Sequence, residues 1–362
     1  MTDLADAILG DIIITDKDPL YIGDSLAAIR RQKKLTTGEI KRGSGVTIHE
    51  YGETTNMHFM DIGWHFIPKD QPHDALKEHF KTHYDYQINH DVLTSLNTVE
   101  FNPTDLCNRR CYMCPRSDEE LYPNNNEHLD INAHHAVIDD LVKHQFKGVI
   151  IYSGWGEPTL NPKIFEMIRY AADNLPECHI TCYTNFDVFR KGKLPGYGKT
   201  DFGDLVDAGV HQVDIDIYDG DEMLIEVLKK IKPWIGQICM KLNLQYRQQQ
   251  SAWVNRGGIL ATDKTVKNGL PCFITSSKAF VHYTGELISC CHEWDRLIPA
   301  IGHVLETPFS ELWTSTQFNE LRHSLNESRA NGPSPCQICD ARAGTGRDRY
   351  IEAQQILLDK HG

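Results

Sequence analysis

The sequence lacks the features that mark several classes of protein. Acidic residues outnumber basic ones by 50 to 37, which gives a net charge of −13. Proteins that bind nucleic acid through its phosphates usually present a basic surface, so this balance argues against a nucleic-acid partner. No segment approaches the ~18 consecutive apolar residues of a membrane span, and the first residues are acidic where a signal peptide is basic. The composition therefore predicts a cytoplasmic protein that binds neither nucleic acid nor membrane.

Familiar catalytic patterns are missing as well. The chain has no glycine-rich phosphate loop of the Walker type, no arguable Ser-His-Asp order, and no zinc-spaced motif among its 18 histidines. Cysteine, in contrast, is abundant, with 11 residues. In a cytoplasmic chain this number indicates metal ligation or catalysis before disulfide bonds.

From residue 97 to about 250, strand patterns alternate strictly with helix patterns. Such alternation predicts βαβ units, a parallel sheet and an α/β fold, here an open or partial (β/α) barrel. Ligands of these sheets bind at the carboxyl ends of the strands, where the unusual residues of this sequence fall. The predicted strands are NTVEF (97–101), GVIIY (148–152), HITCYTNF (179–186), HQVDIDIYD (211–219) and ICMKLNLQY (238–246).

The chain divides into three predicted segments, 1–95, 96–260 and 261–362. The first is an N-terminal extension without an evident role, and its patterns suggest a hairpin over 48–66 and a helix over 73–84. The second is the partial barrel. The third is a small subdomain with a hairpin turning at Thr284 and Gly285, a helix over 308–326 and an irregular tail.

Three cysteines, Cys107, Cys111 and Cys114, follow the first predicted strand at C-x3-C-x2-C spacing. Buried structural thiols would explain them, and so would a zinc site that takes His134 or His135 as its fourth ligand. Ferredoxin-type clusters prefer a different spacing and a fourth cysteine. A cubane held by three thiolates would leave one iron open for a substrate or cofactor.

This loop resembles the signature of the radical S-adenosylmethionine (SAM) enzymes, C-x3-C-x-φ-C after the first barrel strand. Met113 stands at φ, where an aromatic residue is more usual. The resemblance implies a [4Fe-4S] cluster on Cys107, Cys111 and Cys114. Its fourth iron would be chelated by the amino and carboxylate groups of SAM.

The end of the second strand supports the resemblance. The family carries a Gly-Gly-Glu-Pro-like turn there for the SAM ammonium group, and Gly156, Glu157 and Pro158 match it, while Trp155 replaces the first glycine. A glycine lets backbone carbonyls approach a cationic amine. With Met113, these three residues are predicted to bind the cofactor.

Two further residues complete the predicted cofactor site. Asn185 ends the third strand and resembles the ribose-contacting residue of the family, although a turn former would also suit this position. Asp216 falls on the barrel interior if side chains alternate along the fourth strand, with Lys241 as an alternative partner. Arg256, in the loop after the fifth strand, is a candidate clamp for an anionic substrate or the SAM carboxylate; a surface salt bridge is the alternative.

The distal cysteines form a second pattern. Cys272 and Cys290 stand in C-x12-G-x4-C, and Cys336 and Cys339 in C-x2-C, so four thiolates could complete a tetrahedral iron–sulfur or zinc site. The stretch resembles the twitch subdomain, the shortened SPASM extension of radical SAM enzymes, which implies one auxiliary [4Fe-4S] cluster. Cys291 is a spare: an alternative ligand, a substrate-facing thiol or a buried small residue.

By this resemblance, a flavodoxin- or ferredoxin-type donor reduces the first cluster and SAM is cleaved to a 5′-deoxyadenosyl radical. The radical abstracts a substrate hydrogen atom. If the auxiliary cluster accepts the second electron, the result is oxidation of a small molecule, and the enzyme is an oxidoreductase. A peptide-modifying radical SAM enzyme is one alternative, and a non-catalytic iron–sulfur electron carrier or redox sensor is another.

Overall fold

The structure is a computed structural model of the 362-residue chain. Its main described body runs over residues 96–194, 198–247, 254–262 and 272–341, and the remaining described residues are 20–22, 46–51, 54–59, 63–68, 93, 266 and 269. The predicted helix over 73–84 lies outside the described residues. The three segment boundaries stay predictions.

The described residues contain fourteen strands. In chain order they are Leu20–Ile22 (β1), Val46–Tyr51 (β2), Thr54–Phe59 (β3), Gly63–Pro68 (β4), Thr98–Phe101 (β5), Val149–Tyr152 (β6), His179–Thr184 (β7), Lys193–Leu194 (β8), Gly198–Lys199 (β9), Gln212–Ile217 (β10), Cys239–Leu244 (β11), Lys278–Val281 (β12), Glu286–Ile288 (β13) and Gly302–His303 (β14).

Nine of these strands form one open sheet in the order β1-β11-β10-β7-β6-β5-β12-β13-β14. The strands from β1 to β12 in this order pair in parallel, and β13 and β14 pair antiparallel. The five predicted strands are present as β5, β6, β7, β10 and β11. The predicted α/β fold with a partial-barrel sheet is confirmed.

The sheet extends beyond the predicted strands at both sides. β1 pairs with β11, with Leu20 opposite Met240. The predicted hairpin is present, but its first strand, β12, lies parallel to β5, with Lys278 opposite Thr98. A short apolar run does not reveal which neighbour it will pair with, so the sequence pattern could not assign β12 to the barrel sheet.

A separate antiparallel sheet has the order β2-β3-β4. It confirms the hairpin predicted over 48–66 and adds a third strand, Gly63–Pro68, which pairs with β3. A two-stranded antiparallel pair joins β8 and β9.

The helices connect the strands of the main sheet and cover the subdomain after it. The predicted helix over 308–326 is two helices, because Ser315 caps the second one: its side chain accepts a hydrogen bond from the Phe318 amide. No helix within the described residues is long and apolar enough to cross a membrane. The bounds are Ile131–Lys143, Ile164–Asn174, Asp187–Lys191, Phe202–Asp207, Gly220–Ile231, Ile274–Ser277, Phe309–Trp313, Thr316–Glu327 and Ser334–Gln337.

The core of the main sheet depends on apolar side chains such as Leu242 of β11, which is fully buried. We expect Leu242→Ala to lower the free energy of unfolding by about 2–5 kcal/mol, because the truncation removes buried methyl groups and leaves a cavity. Urea unfolding followed by circular dichroism measures this change. Leu305 is 50% exposed, and Leu305→Ala is the control, with an expected change within about 0.5 kcal/mol. Equal losses in the two variants would contradict the assignment of Leu242 to the core.

Candidate active site

One cavity of about 410 Å³ lies at the carboxyl ends of β5, β6, β7 and β10. This volume is typical of small-molecule and cofactor sites. The structure brings together all nine residues predicted for the first cluster and SAM around this cavity, and Arg256 also lines it. The nine are Cys107, Cys111, Met113, Cys114, Gly156, Glu157, Pro158, Asn185 and Asp216.

The cysteine loop that follows β5 is held by side-chain hydrogen bonds between its first residues and the segment 124–127. Asn124 braces the backbone of Cys107 on both sides: its Oδ1 accepts from the Cys107 amide and its Nδ2 donates to the Cys107 carbonyl, each at 3.0 Å. The buried Asp105 carboxylate accepts hydrogen bonds from the amides of Asn125 and Glu127. Two loop segments that lack regular structure are therefore fixed to each other at the first thiol.

The cysteine loop also packs against the turn after β6. The Glu157 amide donates to the Leu106 carbonyl at 2.7 Å. A Cβ atom at Gly156 would lie 2.6 Å from the Leu106 carbonyl oxygen and would also overlap the carbonyl of Thr104. Glycine is required here because the two backbones touch.

The Glu157 carboxylate is buried and directed to the end of β7. Its Oε1 accepts from the hydroxyls of Thr159 at 2.6 Å and Thr184 at 2.7 Å, and its Oε2 accepts from the Asn185 amide at 2.7 Å. Burial raises the pKa of this carboxyl, and the hydrogen bonds from Asn185, Thr159 and Thr184 oppose that shift. The side chain thus fastens the turn to the next strand, while its backbone is bound to the cysteine loop.

Asn185 closes a ring of contacts back to the cysteine loop. Its Nδ2 donates to Asn108 Oδ1 at 2.8 Å, and its Oδ1 accepts from the Asp187 amide. Asn108 in turn donates to the Asp187 carboxylate. Arg109, beside it, forms ion pairs with Asp187 at 2.9 Å and with Asp219 at 2.8 Å. The sequence did not identify Arg109 or Asp187 as site residues. The stretch C-N-R-R contains Arg109 but does not indicate which distant carboxylates it pairs with.

Asp216 faces the cavity, as alternation along the strand predicts. Its Oδ1 accepts from Gln245 Nε2 at 2.8 Å, and Tyr218 lies 3.4 Å from Oδ2. Lys241, the alternative partner, stands opposite Asp214 in the sheet register, while Asn243 is opposite Asp216. Burial raises the pKa of Asp216 to about 6.

The chemistry of the three thiols fits a metal cluster. Burial raises the pKa of Cys107 to about 12 and that of Cys111 to about 11, and Cys114 adds to both shifts. Cys107 and Cys111 ionise with difficulty in the metal-free loop, and thiols of this kind become favourable ligands once a cation stabilises their thiolates. The three thiols line one cavity and have the chemistry that the cluster implied by the sequence resemblance requires.

The zinc alternative for this loop has no support from its proposed fourth ligands. His134 is fully buried, and its Nε2 lies 2.8 Å from the Tyr152 hydroxyl. The ring of His135 stacks on that of Tyr170 with centroids 3.7 Å apart. Neither residue lines the cavity of the three cysteines.

A second cavity, of about 40 Å³, is lined by all four distal cysteines, Cys272, Cys290, Cys336 and Cys339. They come from three places in the chain: the approach to β12, the end of β13, and the helix Ser334–Gln337 with the residues after it. Burial raises the pKa of Cys336 to about 12, with Cys272 and Cys339 adding to the shift. As in the first site, partly buried thiols around one cavity fit a metal centre.

The spacing of these thiols bears on the choice between zinc and iron–sulfur. A single zinc ion needs its sulfur ligands about 2.3 Å from one point. In the part of the chain that the structure describes, no three His, Cys, Asp or Glu side chains form a group that could hold a single ion. A [4Fe-4S] cubane takes one thiolate at each iron, so its four ligands need not converge on a single point.

Two arginines that sequence reasoning missed build the second site. Arg329 is buried, lines the cavity, and donates to the carbonyls of Cys339 and Ala341, each at 2.8 Å. The fully buried Arg322 donates to the Thr275 carbonyl and lies over the rings of Trp313 and Phe318. Their charges gave no signal in the sequence, because charged residues are usually found on the surface.

Trp155 connects the two sites. Its indole Nε1 donates to the Cys291 carbonyl at 2.9 Å, and its ring stacks on Trp294 with centroids 4.8 Å apart. Cys291 follows Cys290 directly and packs against this aromatic cluster, and it lines neither cavity. The departure from the expected glycine at position 155 therefore fills the space between the two groups of cysteines.

Comparisons with known proteins identify two matching family models and one related enzyme. Residues 101–237 match the radical SAM superfamily, and residues 272–340 match SPASM, an iron–sulfur cluster-binding domain. The S-adenosyl-L-methionine-dependent 2-deoxy-scyllo-inosamine dehydrogenase of Niallia circulans is 23% identical over 264 residues, which are 72% of this chain and 98% of that protein. Both matched ranges lie within the segments predicted from the sequence.

Two solved structures share the fold. BtrN in complex with AdoMet and 2-DOIA aligns with a TM-score of 0.57 at 19% identity and covers 68% of this chain and 94% of BtrN. BtrN in an open conformation aligns with a TM-score of 0.51 at 17% identity and covers 70% and 97%.

The contact at Gly156 gives a first test of the site. In Gly156→Ala the new methyl group would overlap the carbonyls of Thr104 and Leu106, so we expect the cysteine loop to separate from the turn. The variant should lose about four irons per chain, measured after anaerobic reconstitution. Gly269→Ala is the control, because a Cβ atom there meets nothing within 4 Å. Full iron content in Gly156→Ala would show that the loop does not need this close packing.

The raised pKa of Asp216 gives a second test. The value of about 6, against an ordinary 3.8, means that the folded state binds this proton more tightly than the unfolded state. Ionisation of Asp216 therefore lowers stability progressively as the pH rises through about 6. We expect the free energy of unfolding of Asp216→Asn, relative to the parent, to be higher at pH 8 than at pH 5 by about 1 kcal/mol. Urea unfolding of the cluster-free proteins measures it, and a pH-independent difference would contradict the shift.

Proposed function

Because the chain is a radical SAM enzyme that carries an iron–sulfur cluster-binding domain of the SPASM type, we propose that it oxidises a small molecule at a C–H bond. One observation favours this oxidation over the alternative functions. His292 lines both the cavity of the first three cysteines and the cavity of the four distal ones. A substrate in the larger cavity would therefore lie next to an electron acceptor.

The protein's residues have divided tasks in this proposal. Cys107, Cys111 and Cys114 hold the first [4Fe-4S] cluster. The SAM site consists of Met113, Gly156, Glu157, Pro158, Asn185 and Asp216. Glu157 acts mainly through its backbone and through the hydrogen bonds that its carboxylate accepts from Thr184 and Asn185 at the end of β7. When bound, the cluster and SAM supply a 5′-deoxyadenosyl radical, which acid–base groups of a protein cannot replace.

The wall of the cavity protects this chemistry from water. Trp155 and Trp294 are 7% and 5% exposed and stack on each other at the side of the auxiliary site. Tightly packed rings leave little room for solvent or stray hydrogen donors near a reactive species. We assign the two tryptophans this role.

In the proposed reaction, electrons enter through the cysteine loop and leave through the auxiliary site. Tyr112, between two of the first cysteines, is 62% exposed, so the cysteine loop reaches the surface where a flavodoxin- or ferredoxin-type donor can approach. Cys272, Cys290, Cys336 and Cys339 hold the auxiliary [4Fe-4S] cluster. It would accept one electron from the substrate after hydrogen abstraction, which gives net oxidation.

The substrate of the related dehydrogenase, 2-deoxy-scyllo-inosamine, favours a small molecule over a peptide. Peptide modification stays an alternative.

Incubation with SAM and dithionite should release 5′-deoxyadenosine, which an electron carrier or redox sensor would not do. Transfer of deuterium from a labelled substrate into 5′-deoxyadenosine then identifies the substrate. We also propose a cytoplasmic location.

The assignment of the two clusters predicts separable iron losses. The triple variant Cys107→Ala, Cys111→Ala, Cys114→Ala should lose about four irons per chain and all SAM cleavage, and it should keep the auxiliary irons. Cys178→Ala is the control, because Cys178 is a buried core thiol that donates to the Phe146 carbonyl. Iron counts equal to those of the parent would refute the first-cluster assignment.

The distal pair tests the acceptor role. The variant Cys336→Ala, Cys339→Ala should keep the first cluster, lose about four irons, and become easier to cleave by protease beyond residue 300, since the metal centre joins the tail to the hairpin. It should still form 5′-deoxyadenosine but no oxidised product. Normal turnover with full iron would rule out a cluster there, and one zinc per chain in anaerobically purified protein would identify a structural zinc site.

A further inference from the structure

Three residues with hydrogen-bond donors line the large cavity and are attached to the segments of the auxiliary site. We call Arg256, His292 and Trp294 the donor wall; all three line this cavity. Arg256 Nη1 and His292 Nδ1 are 3.0 Å apart. Because a guanidinium can only donate, Nδ1 of His292 is the acceptor, and the ring proton of the neutral imidazole is on Nε2. The histidine is therefore a donor at Nε2.

Two donors of this wall have no acceptor among the described residues. They are the indole Nε1 of Trp294, a residue only 5% exposed, and Nε of Arg256; both atoms are buried. A buried donor without a partner costs about 1–3 kcal/mol, and in a native fold such a group calls for a partner, which a ligand, an ion or an ordered water supplies. Acceptor oxygens of a ligand in the cavity that both residues line are candidate partners for these donors.

The charge of Arg256 is also uncompensated within the described part of the chain. Its guanidinium contacts His292, and no carboxylate there forms an ion pair with it. Arg109, which lines the same cavity, instead has two carboxylate partners, Asp187 and Asp219. Among the described residues, the cavity thus has one arginine with carboxylate partners, Arg109, and one without, Arg256.

The donor wall is attached to the segments that carry the auxiliary cysteines. The His292 amide lies 3.4 Å from Cys290 Sγ. Asn255, next to Arg256, donates through Nδ2 to the Ile338 carbonyl and accepts through Oδ1 from the Asp340 amide. These contacts fix the wall to the loops that carry the auxiliary cysteines, so we assign its ligand to the substrate in preference to the carboxylate of SAM.

We propose that the donor wall binds an anionic oxygen group of the substrate, either a carboxylate or a phosphate ester. This inference rests on the proposed function and adds the substrate class to it. Arg256 neutralises the charge, and the indole of Trp294 and the imidazole of His292 donate to the oxygens. The group holds the substrate between the SAM site and the auxiliary site. A substrate with an amine at this position, as in an inosamine, would meet an unpaired arginine.

Four three-carbon probes test the charge preference: glycerol 3-phosphate, glycerate, glycerol and 3-amino-1,2-propanediol. Calorimetric titration into the reconstituted, SAM-loaded enzyme without reductant measures their affinities. We expect glycerol 3-phosphate or glycerate to bind at least tenfold more tightly than the neutral and cationic probes, since a charged hydrogen bond in a buried site is worth about that factor. The tighter of the two identifies the anion. Equal binding of all four would overturn the proposal.

Variants separate the wall from the SAM site. Arg256→Gln should abolish the preference for the anion, Arg256→Lys should keep part of it, and Trp294→Phe, which keeps a ring without the N–H, should weaken anion binding severalfold. Arg169→Gln, on the outer helix Ile164–Asn174, is the control. Iron content verifies that each variant holds both clusters. A tenfold loss of SAM affinity in Arg256→Gln, with unchanged probe affinity, would assign the wall to SAM and overturn the proposal.

Failure of this inference is distinguishable from failure of the proposed function. Probe binding is measured without reductant, so it does not depend on any turnover. Absence of 5′-deoxyadenosine after reduction would refute the radical reaction whatever the probes do. Formation of 5′-deoxyadenosine together with equal probe binding would refute only the anionic substrate.

Discussion

The hydrogen bond from the Glu157 amide to the Leu106 carbonyl is the contact on which the first site depends. It joins the cysteine loop after β5 to the turn after β6, and Gly156 lets the two backbones touch. The Glu157 carboxylate then extends the connection to β7 through Thr184 and Asn185. Asn185 returns it to the cysteine loop through Asn108. The ends of three parallel strands are thereby locked around one cavity, which positions three thiols without any regular structure in their own loop.

The second site depends on contacts from distant parts of the chain. Cys272 is held by its amide, which donates to the Leu325 carbonyl of the helix Thr316–Glu327. Arg329 fixes the Cys339 carbonyl. A guanidinium suits this task because its fan of donors can satisfy several carbonyls of an irregular loop at once. A loop without its own ladder of hydrogen bonds needs such partners when it is buried.

Hydrogen bonds connect the two sites. Trp155 belongs to the turn of the first site and donates to Cys291, next to a ligand of the second. Asn255 and Asp340 fasten the segment of Arg256 to the loop of Cys339. A change at the auxiliary centre can therefore alter the substrate side of the large cavity, and loss of that centre has both an electronic and a structural consequence in the proposed reaction.

By itself the sequence determined what is encoded over short stretches. Alternating apolar runs indicated five parallel strands, because burial follows local periodicity. The spacing of Cys107, Cys111 and Cys114, and of Cys336 and Cys339, indicated metal ligands, because ligands of one centre often stand in one loop. The turn at 156–158 was recognisable for the same reason.

The tertiary structure alone decided what depends on residues far apart in the chain. It placed β1 and β12 in the barrel sheet, directed the Glu157 carboxylate to β7 and away from open space, and assigned Asp216 to Gln245 in place of Lys241. It also left Trp294 and Arg256 with buried donors that have no acceptor among the described residues. No local pattern contains such information, because a side chain's partner depends on which surfaces pack together, and only packing decides whether a buried donor is satisfied.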